Sequence, residues 1–205
     1  MKIDRIEPSA RKKGRVLVFL DSGACLKVTE KELLGFGLRA GDELDAETLR
    51  RLRESAGVSN IRAKAAEMIA KRPLSRNALT RKLTEKGASA EEAEDAAEWL
   101  SSIGALNDED YAASLARDCA AKGYGRAKIR AKLYEKGVPK ELWDAAMSGL
   151  PDAAAQIDAY LSRKLFGVAP SPDEKRKITA SLLRRGFEWD DIRAAWGRRG
   201  QDLEE

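Results

Sequence analysis

Hydrophobic residues recur along the chain in a block that appears three times, at offsets of 50 and 49 residues. Each block contains two large apolar residues four positions apart and a glycine four positions further on. The copies are Leu79-x3-Leu83-x3-Gly87, Ile129-x3-Leu133-x3-Gly137 and Ile178-x3-Leu182-x3-Gly186. Positions i and i+4 share one face of a helix, and glycine suits the left-handed residue just beyond a helix end. The pattern therefore predicts three middle helices, each ended by a glycine.

Apolar residues at helical spacing also lie before and after each middle helix. The four tryptophans, which we assign to the core, are in the helices that follow: Trp99, Trp143, Trp189 and Trp196. The sequence thus predicts three tandem three-helix repeats over 59–107, 108–152 and 153–200, with a tail at 201–205. Since one such unit buries little apolar surface alone, we expect stacked repeats that share a core and form an elongated, curved rod.

The first part of the chain has a different pattern. Residues 15–28 contain two β-rich runs around Asp21-Ser22-Gly23, which predicts a hairpin. Thr29 with Glu32 three residues later forms a capping box for a short helix, and Asp45 is a good N-cap for a helix over 46–56. The predicted fold is mainly α, with a small N-terminal β-hairpin and helix domain over 1–58.

Composition narrows the functional classes. The chain has no histidine, which excludes histidine-dependent nucleophile triads and zinc-protease helices. Its two cysteines are too few for a tetrahedral zinc site. We expect no catalysis, no cofactor and no metal. Without an apolar run of 18 residues or a signal peptide, the expectation is a cytoplasmic protein with free thiols and no membrane contact.

Charge alternates strongly although the formal net charge is only +4. Residues 61–87 hold eight bases and two acids, whereas 88–110 hold eight acids and no base. The next two repeats show the same alternation, with net charges of +5 at both 111–137 and 159–186. In a stacked array this predicts one continuous basic strip for a polyanion or an acidic protein groove. Pairing of oppositely charged helices within each repeat is the alternative interpretation.

Candidate contact residues follow from the repeat. A base lies three positions before the first apolar residue of each middle helix, at Arg76, Arg126 and Lys175. With four further bases of the middle helices these form the predicted partner-binding set, completed by Lys82, Lys128, Arg130 and Lys132. The bases that precede the three glycines are interpreted as compensation of the helix dipole: Lys86, Lys136 and Arg185.

The glycine-ended repeats, together with Leu106-Asn107-Asp108-Glu109-Asp110-Tyr111-Ala112, resemble the RecX family of recombination regulators. The segment 13–44 is similar to the N-terminal extension of its longer members. The resemblance implies a monomer that acts in homologous recombination, DNA repair and the SOS response. It also implies binding along the groove of the RecA–DNA filament, with suppression of ATP hydrolysis and strand exchange. The third copy departs from the pattern, because its first loop is lengthened at 166–172 and Ser181 replaces a lysine.

Three other functional classes stay open at this point. Three-helix units resemble helix-turn-helix modules, so the protein could bind single- or double-stranded DNA directly. A repeat protein could also be a scaffold without effect on a recombinase. An enzyme would need a convergent carboxylate or serine–lysine cluster, and the sequence indicates none.

Overall fold

The computed structural model describes residues 1–10, 12–166 and 168–201. The predicted tail at 201–205 lies outside the described residues, except for residue 201. The chain divides into two compact units. Unit 1 comprises Met1–Pro73 and Leu79–Leu106, and unit 2 comprises Leu74–Ala78 and the residues from Asn107 onward. Helices dominate both units, and the four-part division of the sequence stays a prediction.

A three-stranded antiparallel sheet opens unit 1. Its strands are β1 (Ile3–Pro8), β2 (Arg15–Leu20) and β3 (Cys25–Thr29), in the order β1-β2-β3. The predicted hairpin is confirmed, because β2 pairs with β3 from Arg15 opposite Thr29 to Phe19 opposite Cys25. The sequence did not predict β1. An irregular register between Ile3 and Arg5 interrupts the alternation of inward and outward residues by which a strand is recognised.

Two helices follow the sheet, α1 (Glu30–Gly35) and α2 (Ala46–Lys71). The predicted caps are present, with a capping box between Thr29 and Glu32 and with Asp45 at the start of α2. The prediction of a helix that ends near residue 56 was wrong, since α2 continues unbroken for 26 residues. The hydroxyls of Ser55 and Ser59 donate to the Glu32 carboxylate at 2.8 and 3.2 Å, and these hydrogen bonds hold the middle of α2 against α1.

The core of unit 1 lies between the sheet and the first part of α2. Its buried members include Ile3, Val18, Val28 and Leu52. Further along the chain, α3 (Arg76–Thr84) and α4 (Ala90–Ser102) complete the first repeat. The buried residues of α4 are small apart from one leucine, and α4 packs on α2: Ala93, Ala96, Ala97 and Leu100. Small side chains allow the two helices to lie close together.

Unit 2 contains two further three-helix sets. The first is α5 (Asp108–Ala121), α6 (Arg126–Glu135) and α7 (Trp143–Ser148), with a 3₁₀ turn at Lys140–Leu142 before α7. The second is α8 (Ala153–Leu165), α9 (Pro172–Arg184) and α10 (Trp189–Gln201). Each set has its own buried cluster, around Ile129 and Leu133 in the first and around Ile157 and Leu182 in the second. The predicted three-helix repeats are confirmed.

The glycines beyond the three middle helices have the left-handed conformation that their position predicts. Their φ angles are +91° at Gly87, +72° at Gly137 and +85° at Gly186. The assignment of all tryptophans to the core was wrong for Trp189, which is 56% exposed. Phe187, two residues earlier, is the buried aromatic at this junction, and Trp189 begins α10 on its outer side.

The carboxylate of Glu32 links α1 to α2 and makes stability depend on pH. Burial alone would raise its pKa, but hydrogen bonds from Thr29, Ser55 and Ser59 outweigh burial and lower the pKa below its ordinary 4.5. A lowered folded-state pKa stabilises the fold above 4.5, and this contribution is lost as the pH falls through the folded-state value. We expect Glu32→Gln to lower the free energy of unfolding by about 1 kcal/mol at pH 7. Urea unfolding should show that the difference in free energy of unfolding between the parent and Glu32→Gln becomes smaller below pH 4. A difference that does not change with pH would contradict a charge effect.

Candidate functional site

The middle helices α6 and α9 meet end to end in unit 2. The backbone N–H of Gly125 donates to the carbonyl of Arg185 at 2.8 Å, and the N–H of Ala127 donates to the carbonyl of Gly186 at 3.2 Å. Helix α6 has no side-chain cap at its start. Its first N–H groups, which would otherwise lack partners, are therefore satisfied by the carbonyls that end α9.

The same arrangement occurs at the start of α3, whose first residues belong to unit 2. The hydroxyl of Ser75 donates to the carbonyl of Lys136 at 2.6 Å, and the side-chain amide of Asn77 donates to the carbonyl of Gly137 at 3.0 Å. Ser75 is completely buried. Each glycine turn of unit 2 thus docks on the beginning of the middle helix of the preceding repeat. We refer to these two contacts as the turn docks.

Arg185 reinforces the dock of α9 on α6. Its guanidinium donates to the carbonyls of Lys122 and Gly123 at 3.1 and 3.3 Å and lies 5.2 Å from the ring centre of Tyr160. The sequence interpretation gave Arg185 only the role of compensating the dipole of its own helix. The structure adds a direct bond to the end of α5, which the neighbouring repeat supplies.

The motif at 106–112 also binds the first residue of α3. Asn107 caps α5 through its side-chain oxygen, which accepts from Glu109 and Asp110 at 2.9 and 3.2 Å. The Asp108 carboxylate accepts the backbone N–H of Arg76 at 2.8 Å. Burial raises the pKa of Asp108, while this hydrogen bond and the Arg76 guanidinium act in the opposite direction. The motif therefore has a structural role that its sequence did not reveal.

The predicted basic residues of α6 do not form one strip. At 3.6 residues per turn, Arg126 and Arg130 lie on one side of the buried stripe, and Lys128 and Lys132 lie on the other. The guanidinium of Arg130 is 3.8 Å from the carboxylate of Asp144 in α7. Lys132 faces α5, where its ammonium and that of Lys122 oppose the burial that raises the pKa of the Cys119 thiol.

Helix α9 repeats this division into two sides. Lys175 lies over the ring of Trp196 in α10 at 5.3 Å, and the Thr179 hydroxyl accepts from the indole N–H of Trp196 at 2.9 Å. On the opposite side, Ser181 bonds the hydroxyl of Tyr160 in α8 at 3.0 Å. We call the two surfaces the third-helix side and the first-helix side. By repeat position the third-helix side holds Arg76, Arg126, Arg130 and Lys175, and the first-helix side holds Lys82, Lys128 and Lys132.

Some of these cations form ion pairs with nearby carboxylates. The ammonium of Lys132 binds Glu135 at 2.6 Å, a contact that raises the pKa of Lys132. Arg126, Lys128 and Lys82 have no ion pair within the described part of the chain. Arg126 is exposed at the first position of α6, where a cation meets the positive end of the helix dipole. Helix stability therefore does not explain the presence of Arg126.

The described ranges hold neither a cluster of metal ligands nor a membrane-spanning helix. There, no three carboxylate or thiol side chains converge in a way that could hold a metal ion. None of the helices in those ranges is both long enough and apolar enough to cross a bilayer. Both cysteines are free, with Cys25 exposed and Cys119 buried.

Comparison with known proteins supports the resemblance. Two family models match, the second three-helix domain of RecX at residues 107–147 and the third three-helix domain at 158–196. A regulatory protein RecX of Stenotrophomonas maltophilia is 36% identical over 148 residues, which cover 71% of this chain and 88% of that protein. One from Xanthomonas axonopodis pv. citri is 34% identical over the same length, covering 71% and 89%. One from Clostridium botulinum is 27% identical over 198 residues, covering 94% and 93%.

Solved structures show the same fold. The crystal structure of a regulatory protein RecX superposes with a TM-score of 0.70 at 23% identity, covering 96% of this chain and 98% of that one. The crystal structure of RecX from Lactobacillus salivarius gives a TM-score of 0.61 at 21% identity, covering 72% and 97%. The Stenotrophomonas and Xanthomonas relatives are more than 30% identical to this chain over most of their length, and the matched domains and the shared fold agree with them. The chain belongs to the RecX family of regulatory proteins.

Proposed function

We propose that this protein regulates the RecA recombinase by binding along the groove of the RecA–DNA filament in the cytoplasm, as a monomer. In this role it suppresses ATP hydrolysis and strand exchange during homologous recombination and repair, and it catalyses no reaction itself. The observation that carries the proposal is its membership in a family of regulatory proteins. The turn docks add physical support, because they fix the spacing between successive basic helices in unit 2.

The mechanism rests on several modest contacts made together. A surface that presents one cation from each docked repeat can bind successive subunits of a polymer, and the second contact then forms at a high effective concentration. Arg126 and Lys175 occupy equivalent exposed positions in α6 and α9 and have no ion pair among the described residues. We take the third-helix side as the contact surface, and Arg76 would extend it. The other three residues of the predicted set lie on the first-helix side, which is the alternative contact surface: Lys82, Lys128 and Lys132.

Titration of RecA ATPase on single-stranded DNA with this protein tests the proposal. We expect inhibition at or below the stoichiometry of RecA, because one bound molecule spans several subunits and blocks their turnover. Inhibition should survive when the protein is added after filaments have formed. Unchanged ATPase with undiminished strand exchange would contradict the proposal and would favour a scaffold.

Direct DNA binding is the second candidate, since three-helix units of this kind also occur in DNA-binding proteins. It predicts binding to naked DNA that weakens steeply as salt increases. Fluorescence anisotropy with labelled oligonucleotides, with and without RecA, distinguishes the two. Regulation of the recombinase requires that binding to the filament exceed binding to either naked single- or double-stranded DNA at the same salt concentration.

A further inference from the structure

Unit 1 contains a groove that is lined by none of the seven predicted partner-binding residues. It is lined by Ser9, Ala10 and Lys12, by residues of β2, β3 and the second half of α2, and by Lys86 beyond α3, and its volume is about 740 Å³. Three half-buried apolar side chains line it, Leu17 of β2 with Ile61 and Met68 of α2. A volume of this size accommodates several side chains of a bound chain. We call it the sheet–helix groove.

The charged lining of the sheet–helix groove is almost entirely basic. Among the described residues that line it, six are cationic, whereas Glu67 is the one carboxylate. The cations are Lys12, Arg15, Lys27, Lys64, Lys71 and Lys86. Lys12 and Lys71 each bind Glu67 at 2.9 Å, and these bonds hold the pKa of Glu67 at about 2. Four cations therefore have no lining carboxylate left to balance them.

Two of these four are available for a ligand. The guanidinium of Arg15 is buried and donates to the hydroxyl and carbonyl of Ser59 at 2.9 and 2.6 Å, so Arg15 joins β2 to α2. Lys64 donates to the carbonyl of Lys86 at 3.2 Å. The exposed ammonium groups of Lys27 and Lys86 have neither a hydrogen bond nor an ion pair within the described ranges. They contribute positive charge beside an apolar floor.

We propose that the sheet–helix groove binds an acidic protein segment that carries a large apolar side chain. The carboxylates of such a segment complement Lys27 and Lys86, and its apolar side chain covers Leu17, Ile61 and Met68. Nucleic acid fits less well, because the described lining of the groove includes no aromatic side chain on which a base could stack. Binding of such a segment does not depend on recombinase regulation, since none of the residues proposed to contact the filament lines the groove.

The probe for the test is a fluorescent synthetic peptide of aspartate and glutamate around one leucine. We expect saturable binding to the full chain, and binding at least about tenfold weaker when the leucine is replaced by alanine, because the apolar contact is then lost. The variant K27E/K86E should weaken peptide binding about tenfold or more. The matched variant K31E/R53E makes the same change in net charge at exposed residues of unit 1 outside the groove, and it should bind within about twofold of the parent.

A second measurement uses the unaltered chain and does not depend on the variants. A photoreactive leucine in the peptide should cross-link to residues of β2 or of the second half of α2, as identified by mass spectrometry. Equal weakening by both variants, or cross-links spread over the surface, would overturn the proposal. It would also be overturned if K27E/K86E abolished binding of an oligothymidylate while peptide binding stayed unchanged, since the groove would then be a nucleic-acid site.

Discussion

Gly186→Ala and Gly125→Ala should each destabilise unit 2 by about 3 kcal/mol or more, with Gly186→Ala the larger of the two. A methyl group on Gly125 would overlap the carbonyl of Gly186, and one on Gly186 would overlap the backbone of Lys128. Backbone atoms cannot move aside as a flexible side chain can. The dock of α9 on α6 must therefore open, and the hydrogen bonds from Gly125 and Ala127 are lost with it.

The chain offers controls that separate steric overlap from backbone strain. Gly125 has a φ of −78°, which any residue adopts, so its substitution tests overlap alone. Gly87 has a φ of +91° but open space around it, so Gly87→Ala tests strain alone and should cost about 1 kcal/mol. Gly57, within α2, has neither constraint, and Gly57→Ala should be neutral or stabilising by up to about 1 kcal/mol.

Urea unfolding followed by circular dichroism gives these free energies, and amide hydrogen exchange shows which residues are destabilised. The Gly125→Ala and Gly186→Ala proteins should lose protection first at Ala127 and at the start of α6. If Gly125→Ala were no more destabilising than Gly87→Ala, the close approach of the two backbones would be wrong. If protection were lost only in α10, the turn dock would not be the element that couples these repeats.

The turn docks show how far the repeat pattern could be interpreted from sequence. The spacing of Ile129, Leu133 and Gly137 predicted a helix, its buried face and its end, because all three are consequences of local geometry. It did not predict that the same turn accepts hydrogen bonds from Ser75 and Asn77, which lie 61 and 60 residues before their partners. Hydrogen bonds to backbone carbonyls leave no periodic pattern. The small residues Ser75 and Gly125 at equivalent positions were the available signal of close contact.

The missed strand β1 and the wrongly predicted end of α2 have a similar origin. Strand β1 has only Ile3 fully buried, and its irregular register breaks the period of two. Helix α2 contains Ser55, Gly57 and Ser59, which favour turns locally. Contacts with Glu32 override that preference, and such a long-range contact cannot be inferred from the propensity of the segment.

For the candidate site, the sequence identified the basic residues but not the side of the helix on which each lies. Arg126 and Lys128 are two residues apart and therefore project to nearly opposite sides of α6. Counting charge by segment combines both sides into one net value. The packing of α5 against one side of α6 and of α7 against the other divides the predicted strip in two.

Because the predicted strip is divided in two, reversal of charges on each side can show which side contacts the filament. We expect R126E/K175E to raise the concentration of this protein needed for half-inhibition of RecA ATPase about tenfold or more. Both cations are exposed on the third-helix side of unit 2, so their reversal places two repulsive charges on the surface proposed to contact the filament. The comparison variant K82E/K128E alters two cations of the first-helix side by the same net charge, and we expect it to inhibit within about threefold of the parent.

The free energies of unfolding of the two variants should agree to within about 1 kcal/mol, because none of the four cations has an ion pair in the described ranges and the exposed contact of Lys175 with the Trp196 ring contributes no more than that. A difference in ATPase inhibition then reports on contact and not on folding. Loss of inhibition by K82E/K128E with R126E/K175E unaffected would assign the filament contact to the first-helix side. Equal and small losses from both would mean that the filament is bound without these cations, and the contact surface proposed here would be wrong.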